Sequence, residues 1–194
     1  MKKLLLVALL CLGYLSSTSQ ENAKSALILI DIQDFYFPGG SVELHKAEES
    51  AAYAAKILDA FRNKEQTVIH VKHKAKAGAD IHQSVLPLPN EKVFEKEKVN
   101  AFVNTGLKSH LDDNQITNLV IIGMQTHMCL EAAVRAAVDF GYTVTVVDEA
   151  CTTRNLKYNN IEVEAEHVHA STMATLKSYS NVITFEVFKE KFLN

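Results

Sequence analysis

Short apolar runs rich in β-branched residues recur along the chain, separated by longer mixed segments. Most of these runs show no alternation of apolar and polar positions, which is typical of strands covered on both faces in a parallel sheet. Runs this short, bounded by polar residues, fit strands better than helices. The pattern predicts six strands, over residues 26–30, 67–71, 92–95, 119–122, 143–147 and 182–185.

The segments between these runs have the apolar spacing of helices. In residues 47–63 the side chains of Ala51, Ala54, Leu58 and Phe61 fall on one stripe, as in a helix that packs on a sheet. Three further helices are predicted, over residues 105–111, from Cys129 to about Gly141, and over 161–178. The alternation of strands and helices predicts an α/β protein, a three-layer α/β/α Rossmann-like domain with a parallel six-stranded sheet.

The part of the chain after the first residues reads as one domain. No Pro- or Gly-rich linker and no internal repeat interrupts residues 20–194. Residues 73–91 are the one long irregular stretch. A loop of that length in a compact domain is often functional.

The first residues have the pattern of an export signal. Two lysines precede an apolar stretch at 4–12, and small or polar residues follow at 16–20. The apolar stretch is shorter than the roughly 20 residues that a membrane span requires. We therefore expect residues 1–19 to be a signal peptide, cleaved before Gln20, and the protein to be periplasmic or secreted. An uncleaved anchor and lipoprotein processing at Cys11 are the alternatives.

Composition narrows the range of partners. The 194 residues are 47% hydrophobic and 22% charged, with a formal net charge of -3, which are ordinary values for a globular domain. No basic stretch is interleaved with aromatic residues, so we expect no nucleic-acid partner. No Gly-x-Gly-x-x-Gly motif follows the first strand, which argues against a dinucleotide cofactor.

Polar residues with useful chemistry stand where the predicted strands end. In open parallel sheets, ligands bind outside the carboxyl ends of the strands. This rule selects Asp31, His73 and Lys96, together with the segments 125–129 and 148–151. We expect these residues to converge in space although they are far apart in sequence.

Cys129 lies between a β-branched run that ends at Gly123 and a stretch rich in helix formers. The first turn of a helix has free N–H groups and a positive dipole end, which lower a thiol pKa and can hold an oxyanion. This setting favours a reactive thiolate, whereas a lone cysteine is more often buried and structural. The alternatives are a buried structural cysteine and a disulfide with Cys151, the other cysteine that remains after removal of a signal peptide.

Three short motifs stand at these strand ends. The first is Asp-x-Gln-Asp-Phe at residues 31–35, and the second is Lys96, placed six residues before the phenylalanine of Asn-Ala-Phe at 100–102. The third is Gly-x-x-Thr-x-x-Cys, which ends at Cys129. In this order and spacing, the chain resembles the isochorismatase-like cysteine hydrolases, the superfamily that includes the nicotinamidases.

The resemblance implies a catalytic triad of Asp31, Lys96 and Cys129. Asp31 would take the thiol proton, Lys96 would stabilise the charged pair, and the thiolate would attack a carbonyl carbon. The resemblance also implies a cis peptide between Met124 and Gln125, and an oxyanion hole made by the backbone N–H groups of Gln125 and Cys129. The implied activity is hydrolysis of a small amide or related C–N bond.

The resemblance also bears on cofactors. Metal-binding members of the superfamily carry Asp-x-His after the first strand, and residues 39–45 lack that motif here. His73 matches a family histidine, but one histidine does not make a metal site, so we expect no metal and no other cofactor. The alternatives are a metal-assisted, nicotinamidase-like amidase and a non-catalytic small-molecule binding protein of the same fold. Cysteine at position 129 also argues against the vinyl-ether hydrolysis of isochorismatase itself.

Candidates for substrate binding follow the first motif and precede Cys129. Residues 35–37 are aromatic, and Phe35 and Phe37 are the candidates there, with His127 as a third. Ordinary packing is the alternative for each. His169 on the late helix is assigned a structural or surface role. The resemblance implies a homo-oligomer that acts on a small-molecule, amide-type substrate.

Overall fold

A parallel sheet of six strands forms the centre of the computed structural model. The structure describes residues 24–192, so the expected signal peptide at 1–19 lies outside the described residues. The sheet strands are β1 (Lys24–Ile30), β2 (Thr67–His73), β3 (Lys92–Lys96), β4 (Ile116–Met124), β5 (Thr143–Thr152) and β8 (Asn181–Ile183), and their order in the sheet is β3-β2-β1-β4-β5-β8. An antiparallel hairpin contains β6 (Leu156–Tyr158) and β7 (Ile161–Val163).

Helices on both faces complete the predicted three-layer α/β/α architecture. In residues 24–192 the α-helices are α1 (Ala47–Asn63), α2 (Leu107–Asp113), α3 (Glu131–Asp139), α4 (Ala165–Leu176) and α5 (Phe185–Phe192). Helix α1 packs against α5, where the rings of Tyr53 and Phe185 lie 5.0 Å apart, and α3 contacts α4. No helix in this part of the chain has the length and apolar character needed to cross a membrane.

Strand β1 lies at the middle of the hydrophobic core. Its residues 26–30 are at most 2% exposed, and its register places Ile30 beside Gly123 of β4. Gly123 has φ +127, and a Cβ atom there would lie 2.1 Å from the carbonyl oxygen of Ile30. Only glycine therefore allows β4 to approach the end of β1 this closely.

The elements near the C-terminus differ from the sequence prediction. Residues 161–178 do not form one helix, because the hairpin of β6 and β7 comes first and α4 begins only at Ala165. The hairpin turn is Asn159-Asn160, with Asn159 at φ 52, a conformation that tight hairpins need and asparagine tolerates. Phe185, predicted to end the last strand, instead begins α5, whose apolar residues recur at helical spacing.

Strand β5 is longer than predicted. It continues from residue 147 to Thr152, so Asp148 and Cys151 lie within the strand rather than after it. The cause is an irregularity in the pairing of β4 with β5, after which Gly123 pairs with Cys151. After a bulge of this kind the two strands pair again, and the end of the bulged strand points in a changed direction.

A buried ionic cluster holds the end of the long loop at residues 73–91. The Glu91 carboxylate accepts hydrogen bonds from Arg62 at 2.7 and 2.8 Å and from the backbone N–H of Leu88 at 2.8 Å. It also lies 3.0 Å from Nε2 of His70. Although burial acts to raise it, these donors hold the pKa of Glu91 at about 2. The cluster thus joins the loop to α1 and β2.

We expect Glu91→Gln to destabilise the protein by about 1–3 kcal/mol at pH 7, because Arg62 loses its charged partner. The pKa of Glu91 in the folded protein lies below the ordinary value of 4.5. Its contribution is therefore present in full above about pH 4.5 and is lost as the pH falls towards 2. Urea denaturation at several pH values should show the difference in unfolding free energy between wild type and variant shrinking across this range.

Glu186→Gln is the matched control, because Glu186 makes only an exposed ion pair with Lys189 on α5. We expect this change to stay within about 0.5 kcal/mol of wild type at every pH. A Glu91→Gln variant as stable as the control at pH 7 would contradict the role given to the cluster.

Candidate active site

The residues of the expected triad meet at the carboxyl edge of the sheet. Asp31 follows β1, Lys96 ends β3, and Cys129 lies in the turn after β4. Nζ of Lys96 lies 2.7 Å from Oδ2 of Asp31 and donates a hydrogen bond to Sγ of Cys129 at 3.2 Å. Asp31, Lys96 and Cys129 are 0%, 1% and 6% exposed. Three strand ends thus build one buried cluster of ionisable groups.

Asp31 has the properties of a proton acceptor. Its backbone is left-handed at φ 49, a conformation that aspartate adopts more readily than most residues, and its N–H donates to the carbonyl of Val71 at 2.8 Å. Beyond the ion pair with Lys96, its carboxylate accepts no well-aligned hydrogen bond from residues 24–192. Burial raises the pKa of Asp31, against the opposing effect of the Lys96 charge. A buried carboxylate with a free oxygen and a raised pKa suits general-base chemistry.

The Lys96 ammonium has a third contact, 3.2 Å from Nδ1 of His73. Because an ammonium group only donates, His73 must present the lone pair of Nδ1 and carry its proton on Nε2. The three N–H groups of Lys96 therefore face Asp31, Cys129 and His73. Lys98, two residues further along, is exposed and takes no part. In this arrangement His73 positions the lysine.

Cys129 lies in a single π-helical turn, Thr126–Leu130, and α3 begins only after it. Burial raises the pKa of Cys129 to about 12, and the negative charge of Asp31 acts in the same direction. The thiolate predicted from a helix terminus is therefore wrong for the resting site, because desolvation and Asp31 outweigh the helix end. Cys129 rests as a thiol, and a reaction through it needs a base.

The turn before the thiol has the geometry that the resemblance implied. The peptide bond between Met124 and Gln125 is cis. The carbonyl of Gln125 accepts hydrogen bonds from the N–H groups of Met128 at 3.0 Å and Leu130 at 3.3 Å, which closes the turn around Cys129. The backbone N–H groups of Gln125 and Cys129, expected to form an oxyanion hole, both belong to this turn.

The phenylalanines expected to bind substrate are packed in the loop after β1. Phe35 and Phe37 are 8% and 5% exposed; the ring of Phe35 meets Tyr36 edge-on at 4.2 Å, and that of Phe37 stacks on His82 at 3.5 Å. The aromatic residue of this group that reaches the turn is Tyr36, whose hydroxyl accepts a hydrogen bond from the Gln125 side chain at 3.2 Å. Contact of Phe35 and Phe37 with substrate stays a prediction.

His127, the third substrate-binding candidate, is half-buried beside the turn. Its Nδ1 lies 2.5 Å from the hydroxyl of Thr153. Burial, and then the positive charge of Arg154, lower the pKa of His127. The ring is therefore neutral at pH 7 and can exchange hydrogen bonds, and its contact with substrate stays a prediction.

Gln33, a residue of the first motif, has a role that the sequence did not reveal. It is fully buried; its amide nitrogen donates to the carbonyls of His73 at 2.9 Å and Ala79 at 2.7 Å, and its oxygen accepts from the N–H of His73 at 2.7 Å. These bonds fix the end of β2 and the start of the loop at 73–91, and so the position of His73. The signal in the sequence was a glutamine two residues after Asp31, and its partners lie more than thirty residues away.

His169 of α4 supports the π turn from outside. Its Nδ1 lies 2.9 Å from the hydroxyl of Thr126, the threonine of the third motif, and its Nε2 lies 2.6 Å from Oδ1 of Asp148. Thr126 is fully buried. His169 therefore has the structural role assigned to it, by linking α4 and β5 to the turn that carries Cys129.

The remaining sequence alternatives concern a disulfide and a metal. Both cysteines in residues 24–192 are free, and Sγ of Cys151 donates to the carbonyl of Val147 at 3.3 Å within β5. Over the same residues, no group of three or more His, Cys, Asp or Glu side chains could hold a metal ion. The donor set of the described residues therefore does not fit a metal centre.

Comparison with known sequences finds matches that cover most of the chain. Residues 25–186 match the family model described as the isochorismatase domain. The chain is 42% identical over 176 residues to the uncharacterized isochorismatase family protein YddQ of Bacillus subtilis, a match that covers 84% of this chain and 98% of that protein. It is 28% identical over 165 residues to the ureidoacrylate amidohydrolase RutB of Acinetobacter baylyi, covering 82% of this chain and 63% of that protein.

Comparison with solved structures finds a match named for the same family. The crystal structure of a putative isochorismatase hydrolase from Oleispira antarctica superimposes with a TM-score of 0.82 at 39% sequence identity. The match covers 86% of this chain and 96% of that one. The similarity therefore extends over most of both chains.

We expect His73→Leu to slow alkylation of Cys129 by iodoacetamide at pH 8 about tenfold. The variant leaves one N–H of the buried ammonium without an acceptor, at a cost of about 1–3 kcal/mol. Movement of the ammonium away from Cys129 relieves this cost, and the thiolate then loses stabilisation by Lys96. A loss of about 1.4 kcal/mol in thiolate stabilisation lowers the thiolate fraction tenfold. Mass spectrometry of the adduct on Cys129 measures the rate.

His73→Asn tests the reason, because its amide oxygen can replace Nδ1 as acceptor and should restore most of the rate. His167→Leu, at an exposed position of α4, is the matched control and should leave the rate unchanged. Equal alkylation rates in wild type and both His73 variants would show that His73 does not support the reactivity of Cys129 through Lys96.

Proposed function

The chain belongs to the isochorismatase family of hydrolases, and from that premise we propose that it cleaves a small amide or related C–N bond with Cys129 as nucleophile. The observation that carries the proposal is the buried contact of Lys96 with both Asp31 and Cys129. Burial of an ion pair beside a thiol costs desolvation free energy, and buried ionisable groups of this kind are concentrated at functional sites. A base, a cation and a nucleophile in contact are the parts that covalent catalysis needs.

The proposed first step transfers the thiol proton to Asp31 as Sγ of Cys129 attacks the carbonyl carbon of the substrate. The backbone N–H groups of Gln125 and Cys129 bind the oxygen of the tetrahedral intermediate. The C–N bond then breaks, and Asp31 returns the proton to the leaving nitrogen. The product of this half-reaction is an acyl thioester on Cys129 and a free amine or ammonia.

In the second step a water molecule loses a proton to Asp31 and attacks the thioester carbonyl. The thiolate of Cys129 leaves and regains that proton, which releases the acid and restores the resting site. Lys96 keeps its charge throughout and offsets the negative charge that moves between Asp31 and Cys129. Because Cys129 rests as a thiol, its attack on the carbonyl carbon is coupled to transfer of its proton to Asp31.

The chemical class of substrate is supported by the family and by one relative. The Acinetobacter baylyi protein is named for hydrolysis of a ureidoacrylate, which is a C–N bond cleavage. The buried position of Cys129 favours a small substrate over a peptide chain. Phe35, Phe37 and His127 are proposed to contribute to binding it.

We expect Cys129→Ala to abolish turnover, and Asp31→Asn and Lys96→Ala each to lower kcat/KM by about 10²–10⁴-fold. A panel of small primary amides and ureides, assayed for released ammonia, measures this. Wild type stopped by acid during turnover should carry an acyl mass on the peptide that contains Cys129.

Cys151→Ala is the matched control, because that buried thiol faces the carbonyl of Val147 and has no part in the mechanism. It should retain activity. Circular dichroism separates lost chemistry from lost folding in the Lys96 variant. A folded Cys129→Ala protein with full activity would overturn the proposal, and wild-type protein with neither adduct nor turnover on any substrate would favour the binding-protein alternative.

We also propose that residues 1–19 direct export and are removed, and that the mature protein is a homo-oligomer. The intact mass of protein recovered from outside the cytoplasm should correspond to a chain that starts at Gln20. Light scattering should give a multiple of the mature monomer mass. A full-length chain confined to the cytoplasm would contradict the first part, and a monomer at micromolar concentration the second.

A further inference from the structure

A carboxylate, an imidazole and a hydroxyl are hydrogen-bonded in series at the turn that carries Cys129. Oδ1 of Asp148 lies 2.6 Å from Nε2 of His169, and Nδ1 of the same ring lies 2.9 Å from the hydroxyl of Thr126. The three side chains come from β5, from α4 and from the first residue of the π turn. The mechanism proposed above gives none of them a part.

The carboxylate of Asp148 sets the direction of both hydrogen bonds. A carboxylate only accepts, so Nε2 of a neutral His169 ring carries the proton and Nδ1 presents its lone pair. The hydroxyl of Thr126 is then the donor to Nδ1, and its hydrogen points towards α4. Asp148 therefore fixes the tautomer of His169, as a hydrogen bond to one ring nitrogen of a histidine commonly does.

Thr126 lies where a small movement would disturb the proposed oxyanion hole. In the chain it stands between Gln125 and Cys129, the two residues whose backbone N–H groups are proposed to bind the oxyanion. Its side chain is fully buried, and its carbonyl accepts the N–H of Glu131, the residue that begins α3. A rotation of the Thr126 backbone would therefore change the positions of the two N–H groups relative to each other.

The bond to His169 determines how the Thr126 side chain is held. In residues 24–192 the hydroxyl of Thr126 has one hydrogen-bond partner, Nδ1 of His169. Without that acceptor, a threonine hydroxyl can bond to a backbone carbonyl of its own turn instead, and such bonds bend the chain. Donors of an oxyanion hole act at about 2.7–3.1 Å from the oxygen, so even a small bend weakens them.

We propose that His169 is a positioning residue for hydrolysis: held by Asp148, it fixes Thr126 and with it the two N–H groups of the oxyanion hole. This inference rests on the proposed function, since it concerns the same reaction. The oxyanion exists only in the tetrahedral intermediate and the transition states around it. Loss of this positioning therefore lowers kcat and leaves KM nearly unchanged.

Two amide substitutions separate the two bonds of His169, whose side chain is 23% exposed and can be replaced without leaving a closed cavity. In His169→Asn the amide oxygen can take the place of Nδ1 and accept from Thr126. In His169→Gln the amide nitrogen can take the place of Nε2 and donate to Asp148. On the small amide or ureide that wild type hydrolyses fastest, we expect His169→Asn to keep kcat within about threefold and His169→Gln to lower it about tenfold or more, with KM nearly unchanged.

Thr126 allows the same test from the other end of the bond. Thr126→Ser keeps the hydroxyl and should keep kcat, whereas Thr126→Val keeps the shape, removes the donor and should lower kcat about tenfold or more. In the double variant Thr126→Val/His169→Gln the loss should be no larger than in either single variant, because both act through one hydrogen bond. His167→Gln, at an exposed position of α4, is the matched control and should leave kcat unchanged.

Reagents for Cys129 provide readouts that do not need turnover. Alkylation by iodoacetamide forms no oxyanion, so we expect equal rates in wild type, His169→Asn and His169→Gln. Propionaldehyde adds reversibly to the thiol: the S–C bond forms, the C=O π bond breaks, and the thiol proton passes through Asp31 to the oxygen, which lies in the oxyanion hole. Protection of Cys129 from iodoacetamide should therefore need about tenfold more propionaldehyde in His169→Gln than in wild type.

The outcomes separate this inference from the proposed function. Equal kcat in wild type and His169→Gln, equal losses in His169→Asn and His169→Gln, or slower alkylation in His169→Gln than in wild type would overturn the inference and leave the proposed function intact. Protection by propionaldehyde that depends on His169, in a protein that hydrolyses no amide or ureide, would support the inference while the proposed function fails. Circular dichroism of each variant confirms that the compared proteins are folded.

Discussion

The buried ion pair between Asp31 and Lys96 is the interaction on which the rest of the site depends. Both side chains are almost completely removed from water, and two charges in such a place are tolerated only when their geometry is good and their remaining bonds are satisfied. Asp31 directly follows β1 and Lys96 ends β3, and β2 lies between these two strands in the sheet. All three strands must therefore hold their register for the pair to exist. His73, at the end of β2, pairs in register with Lys96 and gives the ammonium its third acceptor.

The ion pair also influences the protonation state of Cys129, the proposed nucleophile. Asp31 and the loss of solvent raise the pKa of Cys129, while Lys96 acts in the opposite direction and is the weaker influence. A resting thiol is less open to oxidation or alkylation than a thiolate, because the thiolate is the reactive form. For a protein proposed to work outside the cytoplasm, the resting thiol therefore limits oxidation of the proposed nucleophile.

Much of the fold and the core of the site could be predicted from the sequence, for physical reasons that differ from residue to residue. Short apolar runs without alternation are typical of strands buried on both faces, and parallel strands bring Asp31, Lys96 and Cys129 to one edge. Lys96 could be told from Lys98 by its spacing in the motif, and strand alternation agrees, since Phe94 and Lys96 are buried and Glu95 is exposed. The thiol pKa could not be predicted, because it depends on burial and on a carboxylate about a hundred positions earlier. The bonds of Gln33, and those that join Tyr36, Gln125 and Arg154, likewise depend on tertiary contacts that no local pattern encodes.

The two parts of the site have different physical constraints. The triad sits on buried strand ends, where a shift of one residue would turn Lys96 away from Asp31 and leave a charge without a partner. Arg154 lies in an exposed segment after β5, where a change of side chain costs the fold little. Gln125 connects the two parts, because its backbone belongs to the cis turn before Cys129 and its side chain holds Arg154. The register of the sheet therefore fixes Asp31, Lys96 and Cys129, whereas the segment after β5 can change at little cost to the fold. Gln125 is the residue through which such a change would reach the turn before Cys129.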